Sequence, residues 1–370
     1  MRKTFAEINL KNLQHNFLEI KKIVKSKKVL AVVKADAYGH GVIKCVKSLL
    51  ELKEKSPDYF GVALLEEGIE IRKSINSLNP VLLFSPFDVS EFPEYLKYNL
   101  IPTVSSEEQI KKIVRLKPNK KIRVHINIDT GMGRLGLQFE NAVENIIKLS
   151  KIKNVIIDGV YTHFASSDEE DPIFTLLQIE KFKSVLYNLS KQNISYGLAH
   201  AANSAAIFKY PESYFDMVRP GISLYGYHPV ASSQKSSGLR PVMSLISFVS
   251  TIRNVKKGNS VSYGRLFSAE EDSLVGSLPI GYADGVNRNL TQKINIIIKN
   301  KLFPQIGRIT MDRIMFDTKN DKVKVGNRAI LLGKTKSHEI DAWDWSKILN
   351  TIPYEITCGI SKRVPRIFYE

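Results

Sequence analysis

Val29-Leu30-Ala31-Val32-Val33-Lys34-Ala35-Asp36-Ala37-Tyr38-Gly39-His40-Gly41 sets a short apolar run against a lysine and a small, glycine-bearing loop. A continuous run of aliphatic residues reads as a strand buried on both faces, as in a parallel sheet. The loop after it lacks G-x-G-x-x-G, so the start of a dinucleotide-binding doubly wound sheet is not supported. Working outward, the β-rich runs are 29–33, 59–64, 81–84, 101–104, 122–128, 157–163, 196–200 and 217–225, eight in all. Segments with apolar residues at helical spacing separate them, such as Ala142, Val143, Ile146, Ile147 and Leu149. Eight strand–helix repeats predict an α/β fold with an N-terminal (β/α)8 TIM-like barrel.

The polar stretch Ala231-Ser232-Ser233-Gln234-Lys235-Ser236-Ser237-Gly238 reads as a linker. After it, short β runs at 243–252, 274–278, 294–298, 314–317 and 328–332 predict a C-terminal mainly β domain, interrupted by one helix at 342–349. The expected domains are 1–230 and 231–370, with 3–10 offering a strand to the second.

At 370 residues the chain accommodates two domains, and 43% hydrophobic with 25% charged residues is a soluble globular balance. A formal charge of +17 raises nucleic acid, membrane surfaces and anionic ligands as partners. The lysines, however, are scattered along stretches such as Lys21-Lys22-Ile23-Val24-Lys25, which read as solvated helix faces. No basic stripe with interleaved aromatics supports nucleic-acid binding. No apolar run approaches the roughly 20 residues of a membrane span. Met1-Arg2-Lys3-Thr4-Phe5-Ala6-Glu7 lacks a signal-peptide pattern, so a cytoplasmic location is expected. Cys45 and Cys358 have no metal-like spacing; no metal site is expected, and Cys358 reads as a packed thiol.

Barrel active sites lie at the C-terminal ends of the strands. Lys34 stands there, where partial desolvation suits a lysine to Schiff-base chemistry. A lysine snorkelling from a strand end fits the same position. Other strand ends favour chemistry. Arg134 sits on a glycine-rich loop suited to gripping a carboxylate, and His163 ends the sixth run. Ser204, Gly221 and Ile222 fall after the seventh and in the eighth, where barrels often bind phosphate.

The lysine stretch resembles the cofactor-lysine signature of the alanine racemases, a fold-type III family dependent on pyridoxal 5'-phosphate (PLP). The resemblance extends over Asp129–Gly136, His163, 217–225, Val261-Ser262-Tyr263-Gly264, Ile280-Gly281-Tyr282-Ala283-Asp284-Gly285, Gly307-Arg308-Ile309-Thr310-Met311-Asp312 and Arg363-Val364-Pro365-Arg366. It implies an isomerase interconverting L- and D-alanine and supplying D-alanine for peptidoglycan. Lys34 holds PLP and acts as base on the D-isomer. Tyr263, from the partner subunit of a homodimer, acts on the L-isomer. A tyrosine titrating near 10 is a poor base at neutral pH and needs help, which the resemblance assigns to His163, bridging toward Arg219. Arg219 faces the cofactor's pyridine nitrogen and, being always charged, weakens the ring as an electron sink. Tyr38, Ser204, Gly221, Ile222 and Tyr354 hold the phosphate. Arg134 and the Met311 backbone position the substrate carboxylate, and Tyr282, Asp168, Arg288 and Arg308 line the entrance.

Asn127 departs from the family pattern, which often has a carbamylated lysine there. No carbamate is expected at 127, and the asparagine carbonyl is left to accept from Arg134. Tyr263, Met311 and Tyr354 each also read as ordinary packing residues. The competing functions are a racemase for serine or lysine, a decarboxylase on a related architecture, and a non-catalytic PLP carrier. Arg219 opposes the decarboxylase, and the second domain opposes the carrier.

Overall fold

The computed structural model describes residues 3–116 and 118–369. Two compact units emerge. One comprises Gln14–Ala37 and Val42–Leu239; the other comprises Tyr38–Gly41, Arg240 onward and the N-terminal residues through Leu13. Strand β1 (Phe5–Asn9) belongs to the latter. The first unit contains β2 (Lys28–Val32), β3 (Tyr59–Val62), β4 (Val81–Pro86), β5 (Leu100–Val104), β6 (Ile122–Asp129), β7 (Leu137–Gln138), β8 (Val155–Tyr161), β9 (Leu198–His200) and β10 (Met217–Val218). Among its described residues, eight strands (all of these but β7) pair in parallel and close on themselves, β10 against β2 and β5 against β6. This is the expected barrel. Helices supply its outer layer: in Phe139–Ser150, Ala142, Ile146 and Leu149 are buried at helical spacing.

Several expected strand bounds are corrected. The run 217–225 is a strand only at Met217–Val218, and Ile222–Tyr225 forms a 3-10 turn. Pro220 has no N–H for a ladder; its carbonyl instead accepts from the Val32 N–H at 3.1 Å. The run 196–200 begins at Leu198, because Gly197 has φ +65°, and a Cβ there would lie 2.2 Å from the Asp158 carbonyl. The run 157–163 spans Val155–Tyr161, so His163 lies beyond the strand. Cys358 is exposed, not packed, whereas Cys45 is buried.

Directly after β2 the chain coils the wrong way. Lys34–Gly39 turns helically, but Ala35, Asp36, Ala37 and Tyr38 have φ between +53° and +54°. A left-handed turn costs non-glycine residues roughly 1–2 kcal/mol each, so neighbouring contacts must impose it. The Ala35 N–H donates to Glu67 Oε1 at 2.6 Å, and the Val42 N–H donates to Asp36 Oδ1 at 2.7 Å. Glu67 also accepts from the Ala63 and Leu64 N–H groups at 2.8 and 3.1 Å. One carboxylate thus ties the residue after Lys34 to the end of β3. Glu67→Ala is expected to lose about 0.5–1.5 kcal/mol, the net worth of a typical hydrogen bond, because the freed amides are at least partly open to water. Urea denaturation checks this; an unchanged midpoint and slope would remove Glu67 from the account of the turn.

The second unit continues with β11 (Met243–Phe248), β12 (Thr251–Val255), β13 (Ser260–Val261), β14 (Phe267–Ser268), β15 (Ser273–Leu278), β16 (Asn295–Ile298), β17 (Lys301–Ile306), β18 (Ile314–Asp317), β19 (Arg328–Lys334), β20 (Glu339–Ile340) and β21 (Arg366–Tyr369). The main sheet runs β12-β15-β18-β17-β16-β19-β11-β1-β21, so β1 lies between β11 and β21. The expected single strand 243–252 is two, broken at Val249-Ser250. The helix Ala342–Leu349 is capped by the Asp341 carboxylate, which accepts from the Trp343 and Asp344 N–H groups.

Candidate active site

In the first unit the expected site residues gather at the C-terminal strand ends. Lys34 is half-buried, and the backbone ahead of it is held on several sides. The Val33 N–H donates to Gly61 O (2.8 Å), and the Tyr225 hydroxyl donates to Val32 O (3.0 Å).

Arg219, 4% exposed, follows β10. Its Nη1 donates to His200 Nδ1 at 2.8 Å. Its Nη2 donates to the carbonyls of Thr162 (2.7 Å) and Ala201 (2.9 Å) and faces His163 Nδ1 at 3.3 Å. Three acceptors share two N–H groups, so the His163 contact is the weakest. The guanidinium lies 5.2 Å over the Tyr161 ring. Burial pulls its pKa down to about 10, which leaves it charged at neutral pH.

An arginine only donates, so His163 Nδ1 is bare. Burial, together with the charges of Arg219, Arg134 and Lys34, pushes His163 down to about 3. The ring is therefore neutral and carries its hydrogen on Nε2, where it can only donate. Burial and Arg219 also keep His200 well below the ordinary histidine range, and His125 is lowered chiefly by burial. For these groups the folded pKa lies below the unfolded value near 6.5, so below that pH the unfolded chain binds more protons. Stability then falls as pH drops below about 6.5, by up to ~1.4 kcal/mol per pH unit for each ring until its own folded pKa is passed. Thermal melting between pH 7 and 4.5 checks this, and a flat profile would contradict the neutral assignments.

Ser204 is buried; its Oγ accepts from the Gly221 N–H at 2.8 Å and lies 3.0 Å from Ser223 Oγ. Ile222 opens the 3-10 turn, so its N–H has no intrahelical acceptor. Arg134 is exposed on a loop anchored by Asp129, whose carboxylate accepts from the Gly131 (2.9 Å) and Gly133 N–H groups. The expected bond from Arg134 to Asn127 is not made. The Asn127 amide donates to Leu135 O at 3.1 Å, and its buried carbonyl oxygen has no partner among the described residues. The short side chain is spent on the loop backbone. Asp168 is exposed.

Of the expected site residues in the second unit, Tyr263, Tyr282, Arg288 and Met311 are exposed. Tyr263 is 71% exposed, so it fills no core, and Met311 is 51% exposed. Ser262, just before Tyr263, has φ +70°, and its hydroxyl donates to the Arg308 carbonyl at 2.8 Å. The Tyr282 N–H donates to Thr310 O and the Ala283 N–H to Met311 O, joining the 282 and 311 segments. Arg308 is half-buried and Arg288 exposed. Tyr38 and Tyr354 meet with ring centroids 5.7 Å apart. At Gly39 (φ +83°) a Cβ would lie 2.4 Å from the Thr357 carbonyl, so only glycine fits there.

Sequence reasoning missed two residues that hold the barrel cluster. His200 was visible only as the last residue of an apolar run, although it is the shorter of Arg219's two histidine contacts. Gln178 links two loops, donating to Thr130 Oγ1 and the His163 carbonyl and accepting from the Ala165 N–H. A polar residue inside an amphipathic helix gave no signal beyond its own polarity.

Comparison with known proteins supports one family. The family models described as "Alanine racemase, N-terminal domain" and "Alanine racemase, C-terminal domain" match residues 8–229 and 242–368. The alanine racemase of Clostridium tetani is 44% identical, covering 100% of this chain and 96% of the relative. The solved alanine racemase of Clostridium difficile 630 superposes with a TM-score of 0.91 at 38% identity, covering 100% of this chain and 96% of that one. The Bacillus anthracis alanine racemase with bound L-Ala-P gives 0.92 at 30% identity, with the same coverage. With a closed barrel, a lysine at the end of its first strand and a buried arginine after its last, the chain belongs to the alanine racemase family, the PLP-dependent enzymes that interconvert L- and D-alanine.

Proposed function

We propose that Lys34 and Tyr263 are the two bases of this racemase, serving opposite faces of the substrate α-carbon. When bound, PLP withdraws electrons from that carbon and makes its hydrogen acidic. One observation carries the assignment of the ring's seat. Arg219 is buried and charged, with Nη1 held by His200 and Nη2 by the Thr162 and Ala201 carbonyls. A donor that cannot give up its proton suits an unprotonated pyridine nitrogen and disfavours a strong electron sink. The Ser204 hydroxyl, the Gly221 and Ile222 amides, Tyr38 and Tyr354 are the phosphate contacts in this reading. Arg134 and the Met311 N–H hold the substrate carboxylate, and Tyr282, Asp168, Arg288 and Arg308 border the entrance.

His163 completes the base. Its Nε2–H offers a donor to a phenolate, which is how a tyrosine becomes usable near neutral pH. Tyr263 is exposed and sits beside a strained serine, which supports its presentation to a partner subunit in a homodimer with shared sites. No helix of the described residues is long and apolar enough to cross a membrane. A cytoplasmic enzyme making D-alanine for peptidoglycan agrees with these features.

The test is to incubate PLP-loaded enzyme with L-alanine, L-serine and L-lysine and resolve the products by chirality. D-alanine as the main product supports the reading. Binding of PLP with alanine untouched would sink it. Ser204→Ala is expected to weaken PLP affinity by roughly ten-fold, the worth of one hydrogen bond to a charged group. Cofactor titration followed by fluorescence checks this, and unchanged affinity would remove Ser204 from the phosphate site.

A further inference from the structure

Beyond Arg219 a line of buried polar groups continues away from the strand ends. Past the 2.8 Å bond from Arg219, His200 Nε2 lies 2.9 Å from His125 Nδ1, and His125 Nε2 lies 3.3 Å from Asp158 Oδ2. Both rings are 0% exposed. Asp158 also accepts from Arg123 Nε (2.9 Å), Arg123 Nη2 (2.7 Å) and the Tyr59 hydroxyl (3.1 Å). Burial opposes the charge on Asp158, but the bonds from His125 and Arg123 hold its pKa down at about 2.

The backbone is built around this line. In the β6–β8 ladder Val124 pairs with Ile157 and His125 with Gly159, so Asp158 is the extra residue of a bulge. Bulges re-aim a side chain that regular pleating would send elsewhere. The next residue must be small: a Cβ on Gly159 would lie 2.4 Å from His125 Cε1.

The hydrogens along the line follow from its ends. An ionised carboxylate only accepts, so His125 carries its hydrogen on Nε2 and, being neutral, has a bare Nδ1. His200 must then donate from Nε2, which leaves its Nδ1 bare toward Arg219, a group that only donates. The acceptor-only end and the donor-only end require the same tautomers, and every bond in the line points toward Asp158. A chain polarised in one direction strengthens each member bond.

We propose that Asp158 is a positioning residue for the racemase reaction, acting through His125 and His200 to strengthen the bond that holds the Arg219 guanidinium in place. The inference rests on the reading that Arg219 faces the cofactor ring. A better-held Arg219 keeps the ring nitrogen unprotonated, so loosening it lowers turnover and raises the share of transamination.

The experiment compares wild type, Asp158→Leu and Arg123→Gln. Arg123→Gln removes the ion pair but keeps the carboxylate. In cofactor-free protein labelled with 15N-histidine, wild type should show both rings with bare Nδ1 and protonated Nε2. Asp158→Leu should shift the His200 Nδ1 resonance as well as those of His125; Arg123→Gln should leave His200 as in wild type. In the loaded enzyme Asp158→Leu should lower kcat by about ten-fold, by analogy with the low end of what losing a ligand-supporting partner costs at metal sites, with KM for alanine nearly unchanged and a larger transaminated fraction. His125→Leu, in the event that Asp158→Leu does not fold, should likewise shift the His200 Nδ1 resonance, lower kcat and raise the transaminated fraction. A protonated His200 Nδ1 in wild type, or a His200 signal indifferent to Asp158→Leu, overturns the proposal. So does an equal effect from Arg123→Gln. Arg219→Lys tests the underlying reading separately: a wild-type transaminated fraction there removes Arg219 from the ring nitrogen, while the cofactor-free spectra still decide whether Asp158 acts on His200.

Discussion

Lys34→Ala is expected to abolish racemisation and to leave PLP bound only reversibly. On the proposed assignment the substitution removes two things at once, the amine that holds the cofactor covalently and the base serving the D-isomer. Loss of a positioned general base alone costs roughly 10²–10⁴-fold, and loss of covalent attachment adds to it. The fold should survive. Lys34 is half-buried at the end of β2, and the turn that follows is held by Glu67 and Asp36. Two measurements check this: release of PLP on gel filtration, and D-alanine formation from L-alanine at saturating cofactor. Activity within ten-fold of wild type would remove Lys34 from the chemistry and return it to the snorkelling role open to any strand-end lysine.

Tyr263→Phe is expected to lower racemisation by roughly 10²–10⁴-fold through loss of the other proposed base, with an asymmetric signature. Exchange of the α-hydrogen of D-alanine with deuterated water depends on Lys34 and should persist; the same exchange from L-alanine should nearly stop. A general loss of folding cannot produce that asymmetry. Because Tyr263 is 71% exposed, its replacement removes little packing, and stability should stay within about 0.5 kcal/mol of wild type. Mixing Lys34→Ala and Tyr263→Phe subunits tests the shared site. If each site takes Lys34 from one subunit and Tyr263 from the other, random reassortment should restore about a quarter of wild-type activity, since half the dimers are mixed and each has one intact site. Mixtures no more active than their components would place both bases in one subunit.

The barrel was legible because its strands are buried on both faces. A run such as Leu30-Ala31-Val32 has no solvent side, and hydrophobic continuity with regular spacing records that in one dimension. Lys34, Arg134, His163 and Ser204 were legible as candidates for a related reason, since residues just past a barrel strand are delivered to one face by the strand itself. Resemblance extended this to Tyr263, Met311 and Tyr354, whose composition alone reads as packing.

What could not be read was set by backbone conformation and by contacts between distant residues. Four consecutive left-handed residues after Lys34 include two alanines, whose own preference is the opposite hand, and Glu67 supports the turn from 32 positions away. The shortness of β10 follows from where Pro220 directs its carbonyl, and the failed Arg134–Asn127 bond from the loop backbone that takes the amide first. The line from Arg219 through His200 and His125 to Asp158 depends on a bulge that shifts the ladder by one residue. Period and composition describe which face a side chain prefers. Hydrogen-bond partners depend on distances of a few tenths of an ångström between chain segments far apart in order, and those exist only once the barrel has closed.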